Sequence, residues 1–594
     1  MIRALRFDTY TSLILFIGGV IYFTSFGKHV IMYQNDEFLF LYTPEYLKTF
    51  MNMPGGVSEW LTSFFTQFYY YPFLGALVLS CLLLLSWILT RYLFSFYGLV
   101  SDFGMSIIVY GSLFGVVQFF ENSLIFVVIV LLNLSFLYFT LRVRNSRLRF
   151  AVEIITAVVL YVLAGAGFAI FIAVTVVAEL LLFQGRERFL NAVTIFSLGI
   201  YIPYFLSIHY YFLFAPVAYK SPVVTDKYFY GYQFTVIIGV MFLLLVLAKA
   251  GSYFKTIIDK FIEYKYYSIG LILTGFGVYV FMICNSPVAG LVYFAQKGKY
   301  AAIENSYSVR PSALWDEVLE MASGYRGVGS LYPYYTNMAL EYKGQLFDDM
   351  MKYDQQRGVL GLYYPWVGNS HMREHGGFFY YTIGYVNEAH HWAYESMIHT
   401  GPVAPVLKEL VIYNIIIGKF AGAEKYLNVL NQTLFYRKWA DDFFKIIKDT
   451  SKVNELVWIR EKRKQIPVGD YFMDMAGLQR NLEDIVRSNP ENKTAFDYLI
   501  AYYLLDGRPD KVLERHNEIK RFYRSIPKTV KEALVLLPDY PSELGQQHLL
   551  LGRYIKARDN MMKTHAGELQ FDKMYSETYW YYIDFVSPHH KLRK

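Results

Sequence analysis

Residues 32–72 read MYQNDEFLFLYTPEYLKTFMNMPGGVSEWLTSFFTQFYYYP and lie between two long apolar runs. Asp36 and Glu37 come just beyond the first run, where a membrane helix leaves the lipid. An aromatic-rich segment follows, then a Pro54-Gly55-Gly56 break, then a second segment whose aromatics bunch between Trp60 and Tyr71. Proline and glycine side by side end one element and begin another. The pattern is an acidic pair followed by two amphipathic pieces at a membrane surface. A connecting loop needs less, so any chemistry is expected here.

A helix needs about 20 apolar residues to cross the hydrocarbon core. That criterion predicts nine spans, near 11–32, 73–94, 103–120, 123–141, 150–164, 166–183, 190–214, 233–250 and 266–285. The run from 150 to 183 is split at Gly165-Ala166-Gly167, which predicts a tight turn between two short helices. With the N-terminus in the cytoplasm, the inner segments carry 13 Lys and Arg, among them Arg142, Arg144, Arg147 and Arg149, and the outer ones four. That imbalance agrees with the positive-inside rule. It implies a multi-pass membrane protein, with loop 33–72 and the C-terminal domain on the outer side.

The chain of 594 residues is 55% hydrophobic and 19% aromatic, too apolar for an ordinary soluble protein. Residues 1–285 hold 30 of its 105 formal charges, and this shift sets a boundary near Ser286–Pro287. The net charge of +7 is spread over both halves and gives no reason to expect a nucleic-acid partner. Cys81 and Cys284 both fall inside predicted spans, which argues against a disulfide framework. The first apolar run follows Arg3 and Arg6 but lacks a small-x-small cleavage site, so it reads as an uncleaved helix rather than a signal peptide.

From Ser286 onward the periodicity is helical, with Pro and Gly punctuating short amphipathic segments. Leu407, Leu410 and Val411 lead to Gly418, then to Ala423, Tyr426 and Leu427, a spacing like that of a tetratricopeptide repeat. Weaker copies surround Gly344 and Gly507. The expected fold class is all-α: a membrane domain of about nine helices (1–285), then a soluble, irregular tetratricopeptide-like α-solenoid (286–594).

Four constellations are candidates for chemistry. Asp36 and Glu37 mark the water boundary of the first helix, or they work with Glu121, which is predicted on the same outer side. Carboxylates converging above a helix bundle suit a general base and a ligand for a divalent metal or a substrate. His371-Met372-Arg373-Glu374-His375 is a literal H-x-x-E-H zinc pattern. Gly368 before it and Gly376-Gly377 after it leave little room for the helix the pattern needs, so a polar hairpin junction is the preferred reading. The aromatics from Trp60 to Tyr71 fit headgroup anchoring first, and a groove for a lipid-linked donor second. Trp60 and Gln67 are the residues assigned to substrate there. Lys220, with Asp226, Lys227 and His209 nearby, is placed to neutralise a phosphate. Neither a Walker loop nor a Gly-x-Ser-x-Gly elbow is present.

A first helix, an acidic pair in an outer loop with surface helices, more spans and an outer C-terminal domain together resemble the GT-C class of glycosyltransferases. The resemblance implies that Asp36 deprotonates the acceptor, with Glu37 beside it and Glu121 as a second-loop acid. It also implies a polyprenyl-phosphate-linked sugar as donor. No acceptor-binding signature of that class is found in the C-terminal half. Pro54-Gly55-Gly56, the run Gln67-Phe68-Tyr69-Tyr70-Tyr71-Pro72 with Gly75-Ala76, and the repeat-like tail resemble an uncharacterised family of bacterial polytopic membrane proteins. That second resemblance covers most of the chain and implies location without mechanism. The rival reading is a non-catalytic scaffold in the bilayer whose helical repeats bind envelope proteins.

Overall fold

The computed structural model describes residues 2–96, 102–117, 124–181, 183, 187–220, 222, most of 291–299, 311–323, 331–365, 370–468, 477–564 and 567–589. Every regular element among them is helical. The chain divides into two compact units, Met1–Ser286 with Asn431–Arg437, and Pro287–Leu430 with Lys438–Lys594.

Among the described residues of the first unit, three helical segments reach the length and apolarity of a membrane crossing: Pro72–Leu93, Ser146–Leu180, which is bent into a hairpin, and Arg188–Tyr211. Nine were expected, and counting apolar runs overstates the number because breaks inside the runs shorten the helices. The run at 11–32 is not one span. Helix Ile2–Ser25 stops, and a separate helix, Lys28–Asn35, begins after Gly27. A side chain at Gly27 would press on the rings of Tyr22 and Phe23. Of the runs at 103–120 and 123–141, the described residues form helices Asp102–Val116 and Leu124–Thr140, of 15 and 17 residues. The expected spans at 233–250 and 266–285 lie outside the described residues.

Helix Leu124–Thr140 occupies the centre of this unit. Its first eight residues, Leu124 to Leu131, are all buried, as befits a helix that is apolar all round. Asn133 is its one buried amide and it serves the neighbouring turn. Its side-chain nitrogen donates to Gly167 O at 3.2 Å and its oxygen accepts from Phe171 N at 3.1 Å. These bonds satisfy backbone groups that the 3-10 turn Gly165–Phe168 leaves unpaired. The turn is sharp enough to fold the apolar run back on itself. Arg149, near the start of helix Ser146–Ala164, meets Glu179, near the end of helix Ala169–Leu181, at 2.9 Å. A straight helix would hold residues thirty apart about 45 Å from each other. The run is therefore a hairpin of two helices, broken at the glycines.

The second unit is built of successive helices that pack on one another, as in Ser370–Thr382, Val386–Thr400, Ala404–Ile416 and Phe420–Leu430. Gly344, Gly384, Gly418 and Gly507 end helices in the left-handed region, with φ between 67° and 87°. In each case the next residue's N–H reaches back five residues, as Lys419 N does to Asn414 O at 2.8 Å, the usual glycine stop of a helix. The core is unusually rich in tyrosine, with Tyr334, Tyr335, Tyr413, Tyr498 and Tyr503 fully buried.

One buried acid in this unit makes a measurable prediction. Glu532 is 3% exposed, and its carboxyl accepts the Tyr579 N–H at 2.7 Å. Burial raises it from the usual carboxylate range to about 7, against the opposing pull of Lys528. The folded form thus keeps a proton that the unfolded form has lost between pH 4.5 and 7. Stability falls as pH rises through that window, and the penalty is fully present above it, on the order of 3 kcal/mol. Glu532→Gln keeps the acceptor for Tyr579 and removes the charge. Hydrogen exchange of the full-length protein at pH 7.5 is expected to slow over helix Lys528–Leu534 in the variant, and to match wild type near pH 5.

Candidate functional site

The acidic pair is set by a helix end. Helix Lys28–Asn35 runs out at Asp36, whose N–H bonds Tyr33 O at 3.0 Å, and Glu37 N bonds Gln34 O at 3.3 Å. Gln34 and Asn35 are buried, and Asp36 and Glu37 are half-buried. The Asn35 amide donates to Asp36 Oδ1 at 3.2 Å and to the Tyr436 hydroxyl at 3.1 Å. The chain then runs extended through buried Leu39 and Phe40. Tyr42 N donates to Gln432 O at 3.1 Å, so segment Asn431–Arg437, though distant in sequence, is part of this site.

Aromatic rings build the wall around it. Phe40 meets Tyr42, Tyr46, Trp60 and Phe64 with centroids 4.9–5.5 Å apart, mostly edge to face. Phe435 stacks on Tyr70 at 5.2 Å, and Tyr436 meets the same ring edge-on at 5.2 Å. Such pairs contribute about 0.5–1.5 kcal/mol each beyond buried area. Burial pushes the Tyr46 hydroxyl up to about 12, and it donates to Leu39 O at 2.8 Å. Gln67 is a brace inside the wall, donating to Phe64 O at 2.8 Å and accepting from the Tyr42 hydroxyl at 3.0 Å. Trp60 is half-buried, stacked with Phe64.

Helix Gly56–Thr66 turns its small polar face inward, Ser58, Thr62, Ser63 and Thr66, packed on helices Leu124–Thr140 and Ser146–Ala164. Thr62 and Thr66 return their hydroxyls to Ser58 O and Thr62 O at 2.7 and 2.8 Å, which lets these two side chains be buried with their donors paired. Small residues allow close helix approach. The loop is fixed at two further points: Gly55 N donates to Val162 O at 3.0 Å and Ser58 Oγ to Leu163 O at 2.8 Å. These carbonyls lie at the C-terminal end of helix Ser146–Ala164, about 26 Å from the arginine-rich start of that helix.

Lys220 is exposed at the end of the short helix Ala215–Ala218, and that turn is tied to the same region. The Tyr161 hydroxyl donates to Ala218 O at 3.1 Å, and Pro222 lies where a side chain on Gly55 would point. The structure thus brings the Lys220 turn to the Pro54-Gly55-Gly56 break. Glu121, Asp226 and Lys227 lie outside the described residues. Among the described residues no three of His, Cys, Asp and Glu converge as a metal site.

The H-x-x-E-H stretch differs from expectation in its backbone: it lies inside helix Ser370–Thr382. Gly376 and Gly377 do not break the helix. They make room for the indole of Trp392, which a side chain at Gly376 would strike. His375 is buried, and its Nδ1 pairs with the Tyr335 hydroxyl at 2.6 Å.

Sequence reasoning missed two groups. Phe435 and Tyr436 carried no signal, because nothing local reveals a partner 400 residues away. The other is a buried charge cluster at the far end of the helix hairpin. Arg149 bonds Glu179 and lies 3.7 Å from Glu153, while Asn191 donates to Glu179 Oε2 at 3.4 Å. Glu153 is fully buried, and neither carboxylate oxygen accepts a hydrogen bond. Carboxylates inside predicted spans were the available signal.

A model of a family of unknown function, DUF6057, matches residues 4–586. No curated protein and no solved structure matches the chain.

Proposed function

The chain belongs to DUF6057, a family of unknown function, and we propose that it is a GT-C-like glycosyltransferase of the bacterial inner membrane. In this reading a sugar moves from a polyprenyl-phosphate donor to an acceptor on the periplasmic face. Asp36 takes the acceptor hydroxyl's proton as that oxygen attacks the anomeric carbon. The bond from that carbon to the phosphate oxygen breaks, and the electron pair leaves with the phosphate. Glu37 and Glu121 orient Asp36, Lys220 offsets the leaving charge, and Trp60 lines the donor side. The remaining parts are a multi-pass membrane domain with the N-terminus inside, and a tetratricopeptide-like α-solenoid outside that presents the acceptor.

One observation carries the reading. The loop with the acidic pair docks, through Gly55 and Ser58, on the end of helix Ser146–Ala164 farthest from the arginine cluster. Arginine-rich ends stay in the cytosol, so the acids and the Lys220 turn belong to the outer face. Membrane residence is supported by Phe189, Leu190, Val193, Phe196 and Ile200, all exposed along one helix. Such a stripe in water is an aggregation liability, and in lipid it is at home.

The scaffold alternative has its own support: Phe435 and Tyr436 already cover part of the aromatic wall. Asp36→Asn separates the two. It is isosteric, and Asn35 can still reach its side-chain oxygen. Removing a general base costs about 10²–10⁴ in rate, so a loss of extracytoplasmic glycan at unchanged protein level is expected. An unchanged glycan profile would leave the scaffold.

A further inference from the structure

Residues 142–149 hold four arginines and no acid. Arg149 turns inward to Glu179, while Arg142, Arg144 and Arg147 are exposed. The turn that carries them joins helix Leu124–Thr140 to helix Ser146–Ala164 and is held by its own backbone. Val143 N donates to Thr140 O at 3.2 Å, and Val143 O accepts from the buried Arg149 guanidinium at 3.4 Å. Asn145 Oδ1 accepts the Arg147 and Leu148 N–H groups at 3.1 Å each, which caps the second helix. The Arg142 guanidinium lies over the Tyr138 ring at 4.1 Å.

A second helix starts at the same end of the unit. Helix Arg188–Leu206 packs on helix Ser146–Ala164, and its Asn191 donates to Glu179, the acid that holds Arg149. Arg188, three residues before Asn191, is exposed. Large apolar side chains are exposed among these cations: Phe139, Leu148, Phe189 and Leu190, each between 58% and 69%.

The combination selects a partner. A free anion, or a hydrated polyanion such as nucleic acid, would match the arginines and leave the four apolar side chains in water. A purely apolar partner would strip water from the guanidiniums and return nothing. The boundary zone of a bilayer offers both, with phosphates at the surface and acyl chains beneath. The planar fork of arginine bonds phosphate oxygens in pairs.

We propose that this arginine turn docks on the phosphate headgroups of anionic phospholipids in the inner leaflet. Arg144 and Arg147 make the main contacts, with Arg142 and Arg188 beside them. The inference rests on the membrane residence and cytosolic arginine end of the reading above, and it is independent of the transfer chemistry.

The test uses the full-length protein in an uncharged detergent. Native mass spectrometry would compare its retention of phosphatidylglycerol with that of phosphatidylcholine carrying the same chains. Phosphatidylglycerol is expected to be retained preferentially, and less so at high salt. Arg144→Gln with Arg147→Gln is expected to weaken it roughly thirtyfold, at about a fivefold loss for each arginine. Should the double variant unfold early, Arg147→Gln alone reads the same effect at roughly fivefold. Lys48→Gln, which removes a charge from helix Pro44–Met51 of the outer loop, is expected to change nothing. Equal retention of the two lipids, or an equal loss in Lys48→Gln, would overturn the proposal. So would displacement of phosphatidylglycerol by inorganic phosphate at the same concentration, the mark of a free-anion site. Asp36→Asn is expected to retain the lipid as wild type does, so failure here and failure of the transferase reading are distinct results.

Discussion

Arg149→Met is expected to destabilise the first unit by about 3–5 kcal/mol, the usual cost of removing one partner from a buried charge group. Arg149 contacts two buried carboxylates, Glu179 at 2.9 Å and Glu153 at 3.7 Å. It also lies over the Phe183 ring at 3.5 Å. Without it, two acids face each other among apolar helices and the hairpin loses the contact that closes its two ends. Glu153→Gln is expected to behave in the opposite way. The cluster carries two formal negative charges against one positive, and neither oxygen of Glu153 accepts a hydrogen bond. Neutralising the surplus acid should leave stability unchanged or raise it. Thermal unfolding in detergent, followed by monodispersity, would compare the two. Equal losses in both variants would show that the cluster contributes packing rather than charge balance.

Gly55→Ala is expected to be the second large effect, this time on the outer loop. Gly55 has φ of 80°, where an L-residue costs roughly 1–2 kcal/mol. Its added methyl would also come within 2.9 Å of the Gly165 backbone nitrogen and strike the Pro222 ring. Overpacking of that kind adds about 1–3 kcal/mol. The strain falls where the loop, the hairpin turn and the Lys220 turn meet, so protease sensitivity between residues 44 and 66 should rise. The same substitution at Gly552 provides the control. That glycine lies inside helix Gly545–Thr564, with nothing near its missing side chain. There alanine should stabilise by up to about 1 kcal/mol. Similar behaviour at both sites would mean that the close approach at Gly55 does not exist in solution.

These two predictions rest on features with very different visibility. Gly55 and Gly165 stood out in the chain because a positive φ and a close backbone approach admit almost no other residue. The glycine turns at 344, 418 and 507 were legible for the same reason. The sense of Gly376 and Gly377 was not. Glycine in a helix reads as a breaker, yet here it is a slot for Trp392, and only the facing helix reveals that. The packing face of helix Gly56–Thr66 was not legible either: Ser58, Thr62, Ser63 and Thr66 face the bundle, where their small size admits close helix approach.

What the amino-acid order determined by itself was local: where apolar runs begin, where glycine must interrupt them, and on which flank arginine accumulates. Those properties follow from backbone conformation and transfer to lipid, which act residue by residue. Only the tertiary structure decided that Phe435 and Tyr436 close the wall beside Asp36, and that one arginine balances two acids across a hairpin. Pairings of that kind depend on which distant surfaces come together as the chain packs, and short-range sequence patterns hold no record of them.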